Sequence, residues 1–197
     1  SADHKACGLA AYGTWLGEGG HFVDLIAKVS RLETDYGIKG TSGSFENNAF
    51  SLSAEYGRHF ELAGGAFVEP QVEVTWGRIM GDDFLNSEGV RIEQDDFDSL
   101  IGRMGVRAGF NFPKDKGLVY ARASVLHDFK GASEAVASLG VKSVRMSDDI
   151  GGIWGEFGVG ANFRLTPATY TYVDLERTTG GEVSEMWRWN VGVRHVF

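Results

Sequence analysis

One cysteine and three prolines stand in a chain of 197 residues. A lone thiol, Cys7, excludes a disulfide within the chain and any thiol-based metal site. No apolar run approaches the ~18 consecutive residues of a transmembrane helix. Positive charge is also scarce. Nineteen Lys+Arg face 27 Asp+Glu, for a net charge of −8, and this excludes the basic surface that nucleic acid requires. The chain opens at Ser1, with neither Met nor a secretory signal peptide, which suggests a fragment or a processed product.

What is present is glycine, at 28 residues, and a repeat of two. Hydrophobic residues total 43% and mean hydropathy is −0.16. A transmembrane β-barrel has such a composition, because only alternate residues of each strand face lipid. Nine strands are expected: Leu9–Gly17, Phe22–Leu32, Asn48–Phe60, Ala66–Ile79, Ser99–Phe112, Leu118–Phe129, Ile153–Leu165, Tyr170–Thr178 and Met186–Phe197. Each reaches the ~9–11 residues that a tilted strand needs to cross a bilayer. Their connections alternate. Glu18–His21, Glu61–Gly65, Pro113–Gly117 and Thr166–Thr169 are tight turns. Gly37–Asn47, Met80–Phe97 and Lys130–Gly152 read as long polar loops, and Thr179–Glu185 as an intermediate one. Ala132–Ser138 could form a helical turn in the longest loop. Bacterial outer-membrane barrels have short periplasmic turns and longer extracellular loops.

Alternation assigns the faces. Phe157, Val159, Ala161, Phe163 and Leu165 share one side of their strand, against Glu156, Gly158, Gly160, Asn162 and Arg164. Charge at mid-membrane must avoid lipid. The expected lumen therefore takes Glu55, Glu69, Glu73, Glu156, Asp174 and Glu176 together with Arg103, Arg107, Arg122, Arg164, Arg188 and Arg194. A soluble up-and-down barrel alternates too, with its apolar face inward. Strand length, glycine beside arginine and glutamate on the polar faces, and Trp15, Trp76, Trp154 and Trp187 near strand ends favour the membrane.

The last strand, Met186-Trp-Arg-Trp-Asn-Val-Gly-Val-Arg-His-Val-Phe197, resembles the outer-membrane assembly signal. Asn190, Gly192, His195 and Phe197 occupy its positions, although His195 stands where an aromatic or apolar residue is usual. Phe67-Val-Glu-Pro-Gln71, Gly105-Val-Arg-Ala-Gly109, Tyr120-Ala-Arg-Ala-Ser124, Trp154-Gly-Glu-Phe-Gly-Val-Gly-Ala-Asn162 and Tyr172-Val-Asp-Leu-Glu-Arg177 resemble the autotransporter β-domain, in order and over nearly the whole chain.

That resemblance implies an all-β, antiparallel up-and-down barrel of twelve strands with an N-terminal helix in its pore. It implies residence in the bacterial outer membrane and export of a passenger from the same precursor. The implied partners are outer-membrane lipid, the barrel-assembly machinery, periplasmic chaperones and the passenger. No cofactor is implied. Nine strands are three short of twelve, so the first strands and the pore helix are expected upstream. The alternatives are a self-contained barrel acting as an adhesin, or a barrel enzyme of the omptin or lipid-modifying kind. For an enzyme, His127 and Asp128 are the rim candidates, though His127 falls on the expected lipid face.

Overall fold

The computed structural model describes residues 2–38, 40–149, 151–180 and 187–195. Its elements run β1 (Ala2–Leu16), β2 (His21–Ile38), β3 (Thr41–Arg58), the two-residue β4 (Phe60–Glu61), β5 (Ala66–Ile79), β6 (Asp83–Leu85), β7 (Arg91–Gln94), β8 (Phe97–Asn111), β9 (Gly117–Asp128), β10 (Ala132–Leu139), β11 (Lys142–Asp149), β12 (Gly152–Thr166), β13 (Thr169–Thr179) and β14 (Arg188–His195). Nine long strands form one antiparallel wall in the order β1-β2-β3-β5-β8-β9-β12-β13-β14, with β4 beside β5. Each wall strand pairs with its neighbours in sequence along the wall. Among the described residues no pairing joins β1 to β14.

One end of the wall is made of tight turns. Short 3₁₀ turns at Glu18–Gly20, Ala63–Gly65 and Pro113–Asp115 close three of them. The first two place glycine in the left-handed region, with Gly19 and Gly20 at φ 71° and 81° and Gly64 and Gly65 at 76° and 90°. A side chain there would crowd its own carbonyl, which is why glycine is the usual occupant.

The other end departs from the expected loops. Most of the expected loop Gly37–Asn47 is strand among the described residues, because β2 and β3 pair without a break from His21↔Arg58 to Ile38↔Thr41. Residues Met80–Phe97 and Lys130–Gly152 contribute a second, four-stranded sheet in the order β11-β10-β7-β6. Ala132–Ser138 is therefore strand and not helix. It is hydrogen-bonded to β11 on one side and to β7 on the other, and this two-sided pairing overrides the helix preference of its alanines. The second sheet is fastened to the β2–β3 hairpin. The Ser87 amide donates to Ser42 O at 2.8 Å and the Asn47 amide group to Met80 O at 2.9 Å. Phe84 stacks on Phe45 with centroids 5.0 Å apart.

Burial in the wall is inverted relative to a soluble protein. Among the described residues only Phe67 and Leu126 are buried apolar side chains, whereas Glu69, Glu176, Asp128, Ser124 and Thr178 are buried polar ones. Met104 is 69% exposed, while the glutamate at 176 is 4% exposed. Along β5 the register alternates: Val72 and Val74 are exposed and Gln71, Glu73 and Thr75 are half-buried between them. An ordinary soluble chain of this length would bury most of its large apolar side chains. Here a continuous apolar band lies open to the surroundings, far beyond the patch size a soluble monomer exposes.

Candidate functional site

The buried polar groups lie on one concave face. Cross-strand pairing sets them in rows. The first row runs Thr14↔Asp24↔Glu55↔Glu73↔Arg103 through β1, β2, β3, β5 and β8. Three carboxylates thus stand side by side, which is destabilising without a cation between them. Arg103 supplies it. Its guanidinium lies 2.5 Å from Glu55 Oε2, and its Nε donates to Glu73 Oε2 at 2.6 Å. The other Glu73 oxygen accepts from Ser53 at 2.6 Å and Thr75 at 2.9 Å. Thr14 donates to Asp24 at 2.5 Å.

The second row runs Glu69↔Arg107↔Arg122↔Gly158↔Glu176↔Arg188. Arg107 and Arg122 meet directly, and each is offset by its own carboxylate. Glu69 contacts Arg107 at 2.9 Å, His59 Nδ1 at 2.9 Å and the Gln71 amide at 2.8 Å. Glu176 is bracketed by Arg122 and Arg188. The Arg107 guanidinium also lies 5.0 Å from the Tyr120 ring centroid and 5.7 Å from that of Phe67. Below this row Tyr120, on β9, donates to Asp174, on β13, across Gly160. A cavity of about 650 Å³ sits against these rows, bounded from Thr14 on β1 to Arg122 on β9.

The remaining charged candidates share the face. Glu156 pairs with Ser124 and Thr178, Arg164 with Tyr170, and Tyr170 with Arg194. Arg164 lies over the Tyr170 ring and donates to Pro167 O at 3.0 Å, so it braces the β12–β13 turn. Trp154 is a correction: its partner is buried Leu126, so it faces the concave side and belongs to no outer girdle. Trp15, Trp76 and Trp187 lie on the convex side, where the Arg177 guanidinium sits 5.6 Å from the Trp187 centroid.

One feature of this face has no sequence motif. Five aromatic rings each cover a glycine directly opposite on the next strand: Phe22 over Gly57, Tyr36 over Gly43, Phe67 over Gly109, Tyr120 over Gly160 and Tyr172 over Gly192. A Cβ at any of these glycines would run into the ring. Ring and glycine fix register as a peg in a hole, since a slip by two residues, which keeps the faces, would drive Phe67 into Arg107 or Asn111 and Tyr172 into Asn190 or Arg194. Such pairs follow from long-range register, so only the glycine-rich polar faces hint at them.

Asn190 and Gly192 lie on the concave face of β14, and His195 on the convex face, with Nδ1 2.9 Å from Thr169 Oγ1. Phe197 lies outside the described residues. His127 faces the convex side, edge-on to Phe129 with its Nδ1 3.0 Å from Gly152 O. Asp128 faces the opposite way and holds the Ser99 hydroxyl and the Leu100 and Lys130 amides. These two residues do not converge on a shared site.

An all-antiparallel wall with its buried charges on the concave side and a mainly apolar band outside is the wall of a transmembrane β-barrel. Backbone groups are satisfied strand to strand, and the side chains turned to lipid are mainly apolar, with Arg177 beside Trp187 the charged exception at mid-wall. The wall strands, at 14–18 residues for β2, β3 and β5, exceed what the bilayer needs, so they extend beyond it on the long-loop side.

A family model described as "Autotransporter beta-domain" matches residues 1–176, and the chain belongs to that family. It is an outer-membrane translocator domain. The pertactin autotransporter of Bordetella parapertussis is 27% identical over 195 residues, covering 95% of this chain and 21% of that protein. The chain thus spans between about a tenth and about a fifth of the length of the curated relatives it matches. Two solved structures share the fold. The β-domain of the Bordetella autotransporter BrkA superposes with a TM-score of 0.74 at 24% identity, over all of this chain and 75% of that one. The transport unit of AIDA-I from Escherichia coli gives 0.76 at 16%, over all of this chain and 68% of that one.

Proposed function

We propose that this domain exports an N-terminal passenger of its own precursor across the outer membrane along the charged concave wall. The carrying observation is the pairing of opposite charges in rows across that wall. Such a lumen stays hydrated and holds no net field strong enough to trap an extended polypeptide of either sign. Glu55, Glu69, Glu73, Glu156, Asp174 and Glu176 line it with Arg103, Arg107, Arg122, Arg164, Arg188 and Arg194.

The wall is part of a twelve-stranded barrel whose remaining strands, with a pore helix, come from the precursor upstream. The two wall edges, unpaired among the described residues, support this reading, because an unpaired edge strand is not tolerated in lipid. Asn190, Gly192, His195 and Phe197 form the signal read by the barrel-assembly machinery, to which periplasmic chaperones deliver the chain. The Tyr172 ring over Gly192 gives the signal's glycine a physical reason.

The test places an epitope upstream of Ala2 in the whole precursor and treats intact cells with protease. Loss of the epitope from cells whose barrel is correctly inserted supports export. An inserted, heat-modifiable barrel whose epitope stays protected would contradict it.

A further inference from the structure

The turn between β8 and β9 breaks the rule its neighbours keep. It has the same 3₁₀ geometry, yet Lys114 and Asp115 occupy the left-handed region at φ 62° and 52°, where the other two turns use glycine. Aspartate visits that region at modest cost and lysine rarely does. A strained lysine at a turn tip needs a return.

The surroundings supply one. Lys114 and Lys116 line a recess of about 420 Å³ with Phe112, Pro113 and Phe163. Phe112 stacks on Phe163 at 6.1 Å and 15°, and meets Phe110 edge-on at 6.1 Å. Phe110 and Phe163 belong to the convex, lipid-facing side. Among the described residues neither ammonium forms an ion pair, not even with Asp115 between them. Two unpaired cations therefore sit at the turn end of the wall, above an aromatic floor that faces lipid.

A second recess continues the path. Ala108, Ala121 and Ala123 floor a mainly apolar depression of about 550 Å³ between Val159 and Val106 on the same convex side, which Arg177 and Trp187 also line. Register carries one recess into the other through Phe110↔Val119↔Ala161 and then Ala108↔Ala121↔Val159. From Phe112 to Ala108 and Val106 is four to six residues, or about 13–20 Å along the strand. With strand tilt this matches the ~15 Å half-thickness of the hydrocarbon core.

We propose that the two recesses hold one anionic phospholipid of the periplasmic leaflet, its phosphate on Lys114 and Lys116 and an acyl chain along the alanine floor. Short turns mark the periplasmic end of such barrels. Charge complementarity selects the anionic headgroup, and each lysine near a membrane surface contributes about fivefold in affinity.

The test uses the whole protein extracted from outer membranes in mild detergent and titrated with phosphatidylglycerol or phosphatidylcholine under native mass spectrometry. Inorganic phosphate forms a separate arm. Wild type should prefer phosphatidylglycerol. Lys116→Gln should lose about fivefold, and Lys114→Gln/Lys116→Gln roughly 25-fold. Lys114→Gly should lose lipid while folding at least as well, because it relieves the backbone. Ala121→Phe, which fills the floor, should weaken both lipids. Equal affinity for the two lipids, or no loss in the double lysine variant, would overturn the proposal. Inorganic phosphate binding as tightly as phosphatidylglycerol would overturn it as well, by showing a free-anion site. A folded, heat-shifted band is required of every variant, so a failure of the barrel itself is seen separately.

Discussion

Replacing Arg103 by methionine removes the one cation that separates Glu55 from Glu73 and leaves the side-chain volume nearly unchanged. Both carboxylates accept from Arg103 at 2.5–2.6 Å, and the three side chains are only 15–21% exposed. Directly paired residues have Cβ atoms about 5 Å apart, and two unit charges at that distance repel by about 3 kcal/mol at an effective dielectric near 20. Breaking a buried ion pair from one side costs about 3–5 kcal/mol, and partial exposure to lumen water reduces this to roughly 2–4 kcal/mol. For a domain of this size that is a fall of roughly 5–15 °C in the temperature at which the compact gel band is lost. Adding Glu55→Gln and Glu73→Gln to Arg103→Met should restore at least half of the loss, since the repulsion goes with the charges. A shift under 1 °C for Arg103→Met would refute the electrostatic account. So would a triple variant less stable than the single one.

Other outcomes follow from the same wall. Glu176→Gln should lower the same transition by roughly 1–3 kcal/mol, because it strands Arg122 and Arg188 together; a neutral result would mean that lumen water screens the pair. Gly160→Val should prevent folding, since Tyr120 occupies the space, and Tyr120→Ala should partly rescue it; rescue failure would deny the ring-over-glycine joint. Deleting Phe197 should lower outer-membrane insertion measured by heat-shifted band intensity in membrane fractions, and unchanged insertion would remove it from the assembly signal.

The nine wall strands are legible in the sequence because lipid enforces strict alternation wherever the strands cross the bilayer. Past the bilayer that constraint ends. Gly37, Ser42, Gly43 and Ser44 continue β2 and β3 in water, where polar residues suffice on both faces, so they read as loop. The second sheet is hidden for a related reason. Its strands are three to eight residues long, and β10 is rich in alanine, so only pairing with β7 and β11 decides its form. On the concave wall, parity tells which charged residues share a face. It cannot tell that Glu176 lies between Arg122 and Arg188, or that Tyr172 covers Gly192, because both depend on register between strands set by the whole sheet.

Export through this wall requires a wet charged face and an apolar face in lipid. Spin labels introduced singly by cysteine substitution into β12, after Cys7→Ser, test this most directly. Glu156, Asn162 and Arg164 report the concave side and Phe157, Val159 and Phe163 the convex side. In membranes the first three should collide with a water-soluble nickel complex and the second three with lipid-dissolved oxygen. Convex labels shielded from both would contradict it, because an apolar face hidden from water and lipid alike belongs to a soluble barrel core.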